Sequence, residues 1–92
     1  MSIKIMSEIW ESAPLTDAPL LVLLALGDMA NDDRECWPGE KRLEGKARIG
    51  WRQLEIILED LQIQGILEIE HRIRKDGGDA SNLYRITPIE SW

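Results

Sequence analysis

The stretch 41–67, KRLEGKARIGWRQLEIILEDLQIQGIL, constrains this chain more than any other. Leu54, Ile57, Leu58 and Leu61 recur at i, i+3, i+4 and i+7, one apolar stripe on a helix of 3.6 residues per turn. Gly65 follows as a natural left-handed stop. The spacing predicts a helix at about 50–64, a tight turn at 47–50 and a shorter helix at about 39–46. One stripe of this kind needs a second apolar surface to bury against.

That surface is LLVLLALGDMA. Leucines at 20, 21, 23, 24 and 26 cover too much of the circumference for a surface helix, which makes this the core helix. Thr16–Asp17 supplies its cap, and Pro19 is tolerable in the first turn. The segment before it is mixed, with Ile3, Ile5, Ile9 and Trp10 as packing residues. Residues 31–35 form a polar, acidic loop. Cys36 and Trp37 follow as a very short strand, with Pro38 holding Trp37 extended. After Gly65, ILEIEHRIR alternates. Leu67, Ile69, His71 and Ile73 share one face of a half-buried strand, and Glu68, Glu70, Arg72 and Arg74 share the other. KDGGDA is a turn signal, and 81–87 returns as a second strand. Asn82 closes that turn and Tyr84 packs beneath it. Residues 88–92 are a short tail.

Ninety-two residues suffice for one domain burying about 60–65% of its unfolded surface. The apolar fraction, 43%, excludes a disordered chain. No apolar run is long enough to span a bilayer, which excludes a membrane partner, and no signal-peptide pattern is present. Cys36, the single cysteine, excludes an internal disulfide and points to a cytoplasmic location.

Charge is distributed unevenly. The chain carries −6 overall. Lys41, Arg42, Lys46, Arg48 and Arg52 stand against Glu44 alone, leaving +4 across 41–52. Arg72, Arg74, Lys75 and Arg85 outnumber Asp76 and Asp79, leaving +2 across 71–85 and −12 elsewhere. The local concentration, not the total, bears on partners.

Two motifs, LLALGDMANDDRECWPG and DGGDASNLYRI, make the chain resemble a winged helix-turn-helix family of phage and plasmid replication initiators and small bacterial regulators. The resemblance runs from Ile3 to Thr87. It implies an α+β fold of three main helices followed by a two-stranded β-hairpin wing. The helix-turn-helix would occupy about 39–64, the wing about 66–87 and the tail 88–92. It also implies double-stranded DNA as partner, read by the third helix and the wing. The chain departs from the family where Gly39 and Gly50 replace helix-capping serines, where Glu44 replaces a small residue, and where Trp51 opens the third helix.

The expected DNA-binding residues are Lys41, Arg42, Lys46, Arg48, Trp51, Arg52, Gln53, Arg72, Arg74 and Lys75. Arg52 and Gln53 are suited to guanine and adenine edges, and the other cations to phosphate. The function implied is a phage or mobile-element transcriptional regulator or replication accessory. A competing expectation arises from the same helix, because 51–62 carries −2. Trp51, Glu55, Ile56 and Glu59 on its outer side suit a protein surface. The chain would then bind a host protein or nucleoprotein complex, as an inhibitor of host defence (anti-CRISPR or anti-restriction) does. Homodimerisation through the first helix or Trp92 is compatible with either. Trp51 folded back as core is the bland alternative.

Asp28, Asn31, Asp32, Asp33 and Glu35 lack the spacing and glycine of a calcium loop. Cys36 and His71 suggest a thiol pair, but His71 falls on the apolar strand face. No phosphate-binding loop, zinc cluster or nucleophilic triad is present. The expectation is a non-enzyme without metal or cofactor.

Overall fold

The computed structural model of the chain describes residues 3–72 and 81–92. Among them it places four α-helices and a small three-stranded antiparallel sheet. The helices are α1 (Ile3–Ser12), α2 (Asp17–Met29), α3 (Glu40–Ala47) and α4 (Trp51–Ile63). The strands are β1 (Glu35–Cys36), β2 (Leu67–Glu70) and β3 (Leu83–Ile86). The strand order is β1-β3-β2.

One element exceeds the sequence expectation and another is displaced from it. The first is α1. Ile5 and Ile9, four apart, lie on one helical face and are buried, whereas Ile3 and Trp10, seven apart, share the opposite face. Ile3 is 80% exposed and Trp10 65%, so the expected packing role of these two residues is corrected. The second is β1, shifted one residue from the expected Cys36–Trp37 pair. It adds to the free edge of β3, with Glu35 opposite Arg85 and Cys36 opposite Tyr84.

Residues 22–27 of α2 are buried without a break, as its encircling leucines require. Thr16 stands at the cap in extended geometry, yet its side chain makes no capping bond, which corrects its expected role. At Gly27 the side chains of α1 press against the α2 backbone. A β-carbon there would sit 2.6 Å from Ile9 Cδ1, so only glycine lets α1 lie against α2 undisturbed. The stripe of α4 is buried as its spacing predicts, at Leu54, Ile57, Leu58 and Leu61. Gly65 closes α4 at φ +79°. The Ile66 N–H then donates back to the Leu61 carbonyl at 3.0 Å.

The acidic loop is a built turn. The Asn31 side-chain oxygen accepts from the backbone N–H groups of Asp33 (2.9 Å) and Glu35 (3.1 Å). The turn delivers Arg34 at φ +66° toward α1 and β3. Its guanidinium donates to Glu8 at 3.0 Å and to the carbonyls of Ile86 (2.8 Å) and Thr87 (2.7 Å). The tail is also tied in. Thr87 Oγ1 donates to the Gly65 carbonyl at 2.7 Å, and the Trp92 indole N–H donates to the Thr87 carbonyl at 2.9 Å.

Strand β2 ends at Glu70, so the expected alternation stops before His71. That side chain is exposed, not on the apolar face, and its Nδ1 lies 3.0 Å from Asn82 Oδ1. Ile73, Arg74, Lys75 and the KDGGDA turn lie outside the described residues.

Arg34 and Glu8 are both mostly shielded, with side chains 19% and 16% exposed. Removing the guanidinium takes the cation from the Glu8 carboxylate and a donor from the Ile86 and Thr87 carbonyls, of which Thr87 keeps the Trp92 indole N–H. Arg34→Ala is therefore expected to lower the unfolding free energy by about 3 kcal/mol in urea titrations. Arg34→Lys should recover less than half of that loss, because an ammonium cannot reproduce the planar fork.

Candidate nucleic-acid interface

The turn between α3 and α4 determines which cations are free. Helix α3 stops at Arg48, which takes the left-handed conformation (φ +59°) and donates its N–H to the Glu44 carbonyl at 2.7 Å. Gly50 then opens α4 in extended geometry without a side-chain cap. The first-turn amides of α4 therefore lack a side-chain acceptor, and the positive end of the helix dipole faces outward there.

The structure exposes Lys41 and Arg42 on α3, Arg48 at the turn, and Arg52 and Gln53 on α4. None of the four cations has an acidic partner within ion-pair distance among the described residues. Other cations are committed elsewhere. Lys46 is ion-paired with Asp28 and straps α3 to α2. Arg85 donates to Glu35 at 2.8 Å across the β1–β3 pair, and that carboxylate raises the guanidinium pKa further. Arg72 is exposed just beyond β2. Arg74 and Lys75 lie outside the described residues.

The competing residues occupy two different flanks of α4. Ile56 points to solvent, 66% exposed, and Glu55 and Glu59 are exposed as expected. Trp51 departs from the expected outer position. It is half-buried and leans toward the sheet, neither facing out nor folded onto the N-terminal segment. The reason is angular. Trp51, Glu55 and Leu58 follow the flank of α4 next to β2, while Arg52 and Ile56 lie one position further round. Between that flank and the sheet runs a groove of about 370 Å³. Its walls include Trp51, Glu55, Glu59 and Gln62 from the helix, and Ile69 and His71 from the β2 side.

The acidic loop spends its side chains on structure, with Asp28 on Lys46, Asn31 on the turn and Glu35 on Arg85. No three metal-ligating side chains stand together among the described residues. Cys36 is buried in the core, its thiol directed at the Leu26 carbonyl 3.6 Å away. Burial pushes its pKa from 9.0 to about 12, a poor setting for a nucleophile at neutral pH. Sequence reasoning missed Arg34 and the Lys46–Asp28 strap. A lone cation inside an acidic loop was the available signal for the first; the second carries no local pattern.

Cys36 and Tyr84 share a pH consequence. Burial raises both pKa values, so the unfolded chain releases these protons at lower pH than the folded one. The stability held below pH 9.0 should therefore decline as pH climbs toward about 12, with Tyr84 adding to the decline above pH 10.0. Urea midpoints measured across this range are expected to fall, and Cys36→Ala should make the fall shallower.

Comparison with known proteins finds no match for this chain among family models, curated proteins or solved structures.

Proposed function

We propose that the chain is a small winged-helix DNA-binding protein that engages duplex DNA through the start of α4. The order α2, β1, α3, α4, β2, β3, with β3 between β1 and β2, supports a winged-helix reading of the fold. The observation that carries DNA binding is the set Lys41, Arg42, Arg48 and Arg52. All are exposed and unpaired among the described residues, Arg48 and Arg52 at the uncapped start of α4 and Lys41 and Arg42 on α3. Arg52 and Gln53, in the first turn, are the base-reading pair. Lys41, Arg42, Arg48 and Arg72 hold phosphates; Arg74 and Lys75, expected to join them, lie outside the described residues. Lys46 is withdrawn from that set by Asp28. The role this supports is a cytoplasmic regulator or replication accessory of a phage or mobile element, as the two sequence motifs imply.

Binding should be visible by mobility shift on random duplex DNA at about 50 mM salt, where a counterion-releasing protein gains orders of magnitude in affinity. With four phosphate contacts the slope of log K against log salt is expected near −3.6. Arg48→Ala should reduce that slope by about one, and Arg52→Ala should cost about 1–3 kcal/mol at a single base position. Lys46→Met should leave the slope unchanged. Absence of any shift at low salt would remove the proposal.

A further inference from the structure

The groove between α4 and the sheet is not explained by DNA. Its helix wall presents Glu55 and Glu59, one helical turn apart on the same flank, where phosphates would be repelled. Neither carboxylate has a cationic partner within ion-pair distance among the described residues. Other carboxylates nearby are engaged: Asp60 accepts from the Gln64 amide at 2.7 Å, and Glu35 accepts from Arg85. Trp51 lines the same groove, with Ile69 on the sheet side. An aromatic wall beside two unneutralised carboxylates is a receptor for a flat cation.

We propose that this groove binds an arginine side chain carried by a partner protein. The chemistry selects the guanidinium. It stacks on the indole of Trp51 while its fork of N–H donors reaches Glu55 and Glu59, and it sheds water more readily than an ammonium. Charge complementarity rests on the helix wall, where Glu55 and Glu59 are the two carboxylates of a lining whose other polar side chains are Gln62, His71, Asn82 and Tyr84. A polypeptide, in preference to a free guanidine, accounts for the neighbouring surface. Ile56 (66% exposed) and Ile63 (76% exposed) lie seven residues apart on the adjoining face of α4. A small cation would leave both in water, whereas the chain on either side of an inserted arginine covers them. The groove volume, about 370 Å³, accepts one long side chain and not a folded element. The arginine site and the DNA site thus occupy adjoining flanks of one helix, Arg52 and Gln53 on the side facing DNA and Trp51, Glu55 and Glu59 on the side facing the sheet.

The test is a titration of the ¹⁵N-labelled full chain with an end-blocked peptide of alternating arginine and glycine, followed by NMR. Its citrulline counterpart, identical in shape but uncharged, is the control. The expected result is a saturable shift of the Trp51 indole N–H and of the Glu55 and Glu59 amides with the arginine peptide only. Glu55→Gln combined with Glu59→Gln should weaken binding at least tenfold. Glu11→Gln combined with Glu90→Gln, exposed acids outside the groove, should leave it unchanged. Equal weakening by both pairs, or shifts that spare Trp51, would overturn the proposal, because attraction to net negative charge then suffices. DNA affinity separates this site from the other. The groove variants should bind duplex as well as or better than the parent, and loss of binding to cytosine-bearing duplexes would assign Glu55 and Glu59 to base reading instead.

Discussion

Every other helix, and the central strand, leans on the buried run 22–27 of α2. The run 22–27 is apolar all round and demands covering from every direction, whereas Leu21 just before it stays 44% exposed. Helix α1 covers it at Gly27, α3 and α4 cover two further sides, and β3 closes the remainder. Each fully buried leucine or valine contributes about 1.5–3 kcal/mol relative to exposure. That gain orients the amphipathic faces around it, including the stripe of α4. Because this stripe is used up against α2, the opposite side of α4 is left to present Arg52, Ile56 and Glu59 to solvent.

The cations divide by the same logic. Those beside the junctions of the wrapping elements are held by carboxylates or carbonyls: Arg34 between α1 and β3, Lys46 between α3 and α2, Arg85 between β1 and β3. Such pairs hold elements in register and are poor candidates for ligand contact, since engaging a phosphate would first require breaking them. The cations remaining among the described residues, Lys4, Lys41, Arg42, Arg48, Arg52 and Arg72, lie where no such pair holds them, and Arg48 and Arg52 flank the uncapped start of α4. Counting lysines and arginines along 41–52 therefore overstates the interface by one residue, and only tertiary structure shows which.

Legibility in the sequence followed the length and period of each element. Helix α4 was readable to within a residue at each end because four stripe positions and a terminal glycine agree. Helix α2 was readable through its leucine density, β2 through alternation as far as Glu70, and β3 as the return from a turn signal. Helix α1 was not, because only Ile5 and Ile9 pack, and two residues one turn apart do not establish a period. Strand β1 has two residues, too short for alternation, and its partner lies fifty positions away. At the site, the exposed positions of Arg52, Glu55, Ile56 and Glu59 follow from the stripe. The placement of Trp51 does not, because it lies on the boundary between faces, where the sheet decides how far it is covered.

The boundary on α4 also limits how DNA can approach. At physiological ionic strength the screening length is about 8 Å, so acids on the far side of α2, such as Glu11, exert little force at the start of α4. Glu55 is different. It lies three residues from Arg52, about 4.5 Å along the helix axis, well inside that length. Salt therefore removes the repulsion of the distant acids among the −12 but not that of Glu55 and Glu59, which belong to the same count. Under the proposed reading, a duplex lying along the full length of α4 would meet Arg52 and Glu59 together and lose much of the attraction. A duplex met by the first turn alone would gain the amides and the four free cations without approaching the carboxylates. End-on insertion of α4 is thus the docking mode that the charge pattern permits, and it leaves the groove open toward a second partner.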